Sequence, residues 1–115
     1  MLNLKRFKQL KKHLKLYGGA TLASDGAITA LKSGYMVSRA GYEIKSKKLS
    51  YFKLVKHLRL AQRLGAYAGL WIDGGLVYLD ISDNIATRER AIYEGLKNNQ
   101  LSIYDCKTGD YIRLK

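Results

Sequence analysis

Hydrophobic residues near the start of the chain recur at steps of three and four, which is the spacing of one face of an α-helix. The positions are Leu4, Phe7, Leu10, Leu14 and Tyr17. They predict a helix from about residue 3 to 16 whose apolar face packs on a core. Gly18 and Gly19 follow and predict its end, because glycine adopts the left-handed backbone that closes many helices.

The same spacing predicts a second helix that runs to about Arg63, with Ser46 or Ser50 as its N-terminal cap. The positions expected to face the core are Tyr51, Leu54, Val55, Leu58 and Ala61. A third helix is predicted from Arg88 to about Asn98, with Thr87 as its cap.

Short segments between the helices alternate apolar and polar residues, as half-buried strands do. Strands are predicted at 20–24, 27–31 and 35–44, with a tight turn at Asp25-Gly26 and a bulge at Gly41. The clearest hairpin joins 66–73 to 76–83 through Asp73-Gly74-Gly75, and a last hairpin joins 100–106 to 110–114. In the clearest hairpin, Leu70 should face Leu79 on one side of the sheet and Trp71 should face Tyr78 on the other.

Helices that alternate with antiparallel hairpins predict an α+β fold, in which three helices pack on a mainly antiparallel sheet. A chain of 115 residues fits one domain. We therefore predict a single domain over residues 1–115, with a basic N-terminal half (1–63) and a near-neutral C-terminal half (64–115).

The charge of the chain distinguishes these halves. Residues 1–63 contain fifteen Lys and Arg against two acids, whereas residues 64–115 contain six against seven, and the whole chain carries +12. A field of one sign on half of a small protein indicates a polyanionic partner, either nucleic acid or a host nucleoprotein complex. The sequence leaves open which of these it is, and it leaves open the oligomeric state.

The basic residues form a row on each of the first two predicted helices. The first row is Lys5, Lys8, Lys12 and Lys15, and the second row is Lys56, Arg59 and Arg63 together with the aromatic residue Phe52. Such rows can follow a phosphate backbone without reading bases. The alternative for either row is a solvated face that only keeps the protein soluble. Because two such rows occur in one small chain, a shared anion-binding surface and a solvated face are about equally supported.

Three aromatic residues also allow two interpretations each. Phe52 could stack on a base or anchor in a partner's pocket, but packing under a neighbouring strand is slightly favoured. Trp71 and Tyr78 could form a stacking platform, although a lone tryptophan beside an apolar hairpin is more often part of a core.

Little in the sequence indicates catalysis. Asp80 is the one carboxylate in the middle of a predicted strand, so a metal-dependent nuclease is only a third hypothesis. His13 and His57 lack partners at metal-ligand spacing and are expected at the surface or its boundary, so no metal and no cofactor is predicted. Cys106 is the only cysteine, which is typical of a reduced cytoplasmic protein, and no apolar run is long enough to cross a membrane.

A set of short stretches is distinctive: GYMVS at 34–38 with GYE at 41–43, GLWID at 69–73, VYLDIS at 77–82 and NNQLSIYD at 98–105. Together they resemble small uncharacterised proteins of bacteriophages and other mobile elements, among them proteins of the anti-CRISPR kind. The resemblance covers roughly residues 18–114 and carries no agreed activity, so it implies no functional residues. It implies a context, since small mobile-element proteins often bind and block host defence machinery.

The leading hypothesis is therefore a non-enzymatic protein of the bacterial cytoplasm that inhibits a host nucleic-acid machine, such as a CRISPR effector, through its basic surface. The alternative hypothesis is a plain DNA- or RNA-binding module without a protein target.

Overall fold

The structure is a computed structural model that describes residues 2–115. Its helices are α1 (Leu4–Tyr17), α2 (Tyr51–Leu64) and α3 (Arg88–Lys97). Its strands are β1 (Gly19–Leu22), β2 (Tyr35–Ser38), β3 (Ile44–Ser46), β4 (Tyr67–Asp73), β5 (Leu76–Ile85), β6 (Ser102–Asp105) and β7 (Tyr111–Arg113). All three helices lie within about two residues of the positions predicted for them.

The strands form one antiparallel sheet in the order β1-β4-β5-β2-β6-β7, with β3 also paired to β5. This confirms the predicted α+β class. The chain forms two compact units, and β5 contributes residues to both. Unit 1 comprises residues up to Thr29 together with Glu43–Ile81, and unit 2 comprises Ala30–Tyr42 with Ser82–Lys115.

Unit 1 contains α1, α2, β1, β3, β4 and the first part of β5. Its core consists of leucines from both helices and aliphatic residues from the strands. Leu10, Leu14, Leu54 and Leu58 are among the buried helix residues, and Leu22, Leu70, Leu79 and Ile81 are among the buried strand residues. Each of the two helices therefore buries one side and leaves the other to solvent.

Unit 2 has a smaller core around Val37, Ala91 and Ile103. Gly95 of α3 permits close packing there, because a Cβ at this position would lie 2.6 Å from Leu114 Cδ1. The predicted hairpin 100–106 with 110–114 is confirmed as β6 paired with β7.

The pairing of the early strands differs from the prediction. The Asp25-Gly26 turn forms, since Gly26 donates to the Ala23 carbonyl at 2.9 Å, but the segment 27–31 makes only a single bridge, between Ile28 and Leu22. β1 pairs instead with β4, which is distant in sequence. The predicted strand 35–44 is also divided into β2 and β3, with Gly41 at positive φ between them.

The turn of the clearest hairpin is confirmed. Gly74 and Gly75 have φ of 57° and 78°, which is the backbone that a two-residue type I′ turn requires. Leu70 and Leu79 are buried, as expected for the core side of the sheet.

Candidate functional site

Helix α2 presents a basic side to solvent because its other side is fixed in the core of unit 1. Ser50 caps the start of the helix, since its Oγ accepts a hydrogen bond from the Lys53 N–H at 3.4 Å, and Gly65 caps the end in the left-handed conformation. Ser50, one of the two predicted caps, is therefore the residue that caps it. The buried residues of α2 are Leu54, His57, Leu58 and Ala61.

Opposite this buried side lies a line of four exposed residues, which we call the α2 arc: Phe52, Lys56, Arg59 and Arg63. Steps of four, three and four residues place them along one stripe of the helix. At 1.5 Å per residue the arc is about 16 Å long. Phe52 is 82% exposed, so the slightly favoured interpretation, in which its ring packs under a strand, is wrong.

A groove of about 530 Å³ runs beside the α2 arc. Its lining residues are Leu2, Ser24, Tyr51, Phe52, Val55, Lys56, Leu58, Arg59 and Gln62. One wall is therefore α2, and the other is made by the segment before α1 and the turn after β1. All of these residues belong to unit 1.

The far wall of the groove is held in place by contacts to Leu2. The Tyr51 hydroxyl donates to the Leu2 carbonyl at 3.3 Å, and Leu2 packs against Gly26, where an added Cβ would lie 3.0 Å from Leu2 Cβ. The Tyr51 ring also meets the Phe7 ring edge to face, with centroids 5.3 Å apart. These contacts join the start of α1 to the start of α2.

The groove is positively charged. Within residues 2–115, no acidic residue lines it, and neither Lys56 nor Arg59 forms an ion pair. Unit 1 contains thirteen Lys and Arg against four acids, a net charge of +9. Asp25 lies next to Ser24 in the sequence and stays ionised, because the Ala27 N–H bonded to its carboxylate lowers the pKa of Asp25.

The lysine row of α1 is exposed as predicted, but it does not line the groove. Lys5, Lys8, Lys12 and Lys15 point to solvent and form no ion pair with any other residue in the described part of the chain. Of the α2 arc, Arg63 is not among the lining residues and lies one turn beyond Arg59. The structure thus brings Phe52, Lys56 and Arg59 together at the groove.

Two residues predicted for the buried side of α1 are exposed instead. Leu4 is 65% exposed and Tyr17 is 73% exposed. They occupy the first and last positions of the helix, where its ends extend past the core.

Trp71 and Tyr78 are not part of the buried core, so that interpretation is wrong. Their rings stack at 3.9 Å between centroids with 5° between planes, and the Lys45 ammonium lies 5.7 Å from the Tyr78 centroid. Trp71 is 36% exposed. The two rings therefore contact each other across the β4–β5 hairpin on the side of the sheet that faces solvent.

The expectation for His57 is also wrong, because this residue is only 2% exposed. Its Nε2 donates to the Asp80 carbonyl at 2.6 Å, while its Nδ1 has no hydrogen-bond partner within residues 2–115. His57 ties α2 to β5 and serves the core rather than the surface. His13 is half-buried beside Tyr17, which fits the predicted boundary position.

The described residues contain neither a metal-ligand cluster nor a helix that could span a membrane. Among residues 2–115 there is no group of three or more His, Cys, Asp or Glu that could hold a metal ion. The Asp80 side chain lies against Gly69, so a side chain at position 69 would collide with it. No helix in this part of the chain is both long enough and apolar enough to cross a bilayer.

The sequence did not identify the rest of the groove. Gln62 follows Arg59 by three residues, so helical spacing alone could have predicted that it lies beside Arg59. Leu2 and Ser24 were not, because only the tertiary fold brings them to α2.

Comparisons with protein-family models, curated proteins and solved structures found no match for this chain. The resemblance to mobile-element proteins therefore stays a prediction. The site must be interpreted from its own geometry and charge.

Proposed function

We propose that this protein acts by binding nucleic acid through the α2 arc and the groove beside it, without catalysing a reaction. The observation that carries the proposal is a groove with two unpaired cations and a highly exposed aromatic ring on one wall. Basic side chains beside an aromatic ring are the combination that single-stranded nucleic-acid sites use.

Each residue of the arc has a distinct part in this proposal. Arg59 and Arg63 can each hold a phosphate through two parallel hydrogen bonds, whereas Lys56 acts as a point charge. The net charge of +9 on unit 1 attracts a polyanion from a distance. Phosphate contacts of this kind position the protein on the strand but do not read sequence.

The test is binding of fluorescently labelled oligonucleotides to the full chain over a series of salt concentrations. We expect affinity to fall linearly in a plot of log K against log salt, with a slope of about −0.7 per phosphate neutralised on a single strand and about −0.9 on duplex. Absence of binding to both forms at about 50 mM salt would refute the proposal.

A second candidate keeps the same surface but gives it a protein target. The arc and groove would enter a nucleic-acid channel of a host nucleoprotein, such as a CRISPR effector, and block it. The 82% exposure of Phe52 favours this candidate, because exposed aromatic residues often anchor in a partner's pocket.

The two candidates differ in a pull-down from bacterial lysate done with and without nuclease. A defence or nucleic-acid-processing protein that remains bound after nuclease treatment supports the protein target. Loss of every such protein after nuclease treatment supports binding to nucleic acid itself.

A further inference from the structure

The ring of Phe52 has a surface available for a ligand. Its contact with another aromatic ring is edge to face with Tyr51, at 5.7 Å between centroids and 83° between planes. That arrangement covers at most one face of the Phe52 ring, in agreement with its 82% exposure. Covering an aromatic side chain that is this exposed with a flat apolar group is favourable, because apolar surface is removed from water.

The groove is large enough to hold one nucleotide. A volume of about 530 Å³ falls within the roughly 300–1,000 Å³ that is usual for sites that enclose a small molecule. One nucleotide is a ligand of that class. A base in a duplex is not, because its flat faces are covered by neighbouring base pairs and only its edges are accessible.

Two cations line the same groove as the Phe52 ring. Lys56 is one turn along the helix from Phe52, and Arg59 is three residues further, so all three side chains project from the same side of α2 into one groove. Ser24 and Gln62 add hydrogen-bonding groups to the lining.

We infer that the groove holds one unstacked base of a single-stranded nucleic acid. The base lies against the Phe52 ring, and the adjoining phosphates contact Lys56 and Arg59. This inference rests on the proposed function and narrows it from nucleic acid in general to the single-stranded form. Because every base has a π-face, the site selects for an unpaired strand and not for a sequence.

The test compares two single strands of equal charge, a fifteen-nucleotide oligothymidylate and an abasic strand of the same length. We expect the protein to bind the strand with bases about 5- to 150-fold more tightly, which corresponds to a stacking contribution of about 1–3 kcal/mol. Phe52→Ala should bring this ratio close to one while leaving the salt dependence unchanged, since no charge is removed.

Two variants serve as matched controls. Phe52→Tyr keeps an aromatic ring and should keep the ratio. Tyr93→Ala removes an aromatic side chain that is 63% exposed on α3 and lies outside the groove, and it should leave the ratio unaltered. Circular dichroism should show the same helix content in all four proteins, because Phe52 is not part of the core.

The outcomes separate this inference from the proposed function. Equal binding of both strands by the unmodified protein, or a ratio that survives Phe52→Ala, refutes the base site but leaves phosphate binding intact. Failure of both strands to bind refutes the proposed function as well. If a fifteen-residue poly-glutamate peptide binds more tightly than oligothymidylate and loses that affinity in Phe52→Ala, the groove takes an acidic peptide and the inference is wrong.

An oligouridylate of the same length distinguishes the two sources of a single strand. The base site is supported if Phe52→Ala abolishes the preference over an abasic strand for the DNA strand and for the RNA strand alike. Oligodeoxyuridylate replaces oligothymidylate in this comparison, so that the two strands carry the same base and differ only in the 2′-hydroxyl, and the tighter of them identifies RNA or DNA as the ligand.

Discussion

Helices α1 and α2 are constructed alike but expose different chemistry. Each has fourteen residues, an N-cap side chain that accepts a backbone hydrogen bond, and a left-handed glycine at its end. α1 carries six Lys and Arg and α2 carries four, so charge alone would make α1 the stronger binding site for a polyanion. The geometry reverses this order, because the cations of α2 lie beside a groove and the exposed Phe52 ring, whereas no residue of α1 lines that groove.

The difference shows that a basic row becomes a binding site when a neighbouring surface gives the ligand a second contact. The lysines of α1 stand on an exposed flank with no such surface among the groove-lining residues. Variants of the two helices test this ranking.

The largest effect is expected from replacing Lys56, Arg59 and Arg63 together by Gln. This change removes three charges and two bidentate phosphate donors, so single-strand affinity should fall by on the order of 100-fold at about 0.1 M salt. The slope of log K against log salt should become shallower by about two units, at about 0.7 per lost contact. Fluorescence anisotropy over a salt series measures both quantities.

A smaller effect is expected from replacing Lys5, Lys8, Lys12 and Lys15 together by Gln. Although four charges are lost, we expect a loss of about 10-fold, because these side chains lie outside the groove and act only through the long-range field. The fold should be retained, since Gln is nearly as good a helix former as Lys and the four positions are exposed. Circular dichroism of the same sample checks this.

The comparison of these two variants decides the ranking. If the α1 variant loses as much affinity as the α2 variant, or more, charge alone governs binding and the groove has no special part in it. If neither variant loses affinity for the true partner, the basic surface serves only solubility. Trp71 and Tyr78 would then be the first residues to test.

The smallest effect concerns the caps of the two helices. Asn3 Oδ1 accepts from the Arg6 N–H at 2.9 Å, whereas Ser50 Oγ accepts from the Lys53 N–H at 3.4 Å, beyond the usual range for this bond. Asn3→Ala should therefore lower the free energy of unfolding by about 1 kcal/mol, and Ser50→Ala by about 0.5 kcal/mol. Urea denaturation measures both, with Asn3→Ser as a control that keeps a cap. A larger loss for Ser50→Ala would contradict the ranking by bond length.

The helices and local hairpins were predictable because their signals lie close together in the sequence. Periodicity located α1 and α2, and the glycines at 74 and 75 located the β4–β5 turn. The pairing of β1 with β4, and of β2 with β5 and β6, was not predictable from local pattern, because those partners are joined only by the tertiary fold.

The candidate site was half predictable for the same reason. Phe52, Lys56, Arg59 and Arg63 share one side of a helix and were found from spacing. Leu2 and Ser24 complete the groove from distant positions and were not. His57 was misplaced because a lone histidine on a helix gives no sign that a strand carbonyl will accept its N–H.

Trp71, stacked on Tyr78, is an intrinsic fluorescent probe of this protein. Trp71 is the only tryptophan of the chain and lies in unit 1, so its emission reports on that unit alone. The far-ultraviolet signal, by contrast, also includes α3 of unit 2. Coincident urea transitions in the two signals would mean that the chain unfolds in one cooperative step, and separated transitions would mean that the two units melt in sequence.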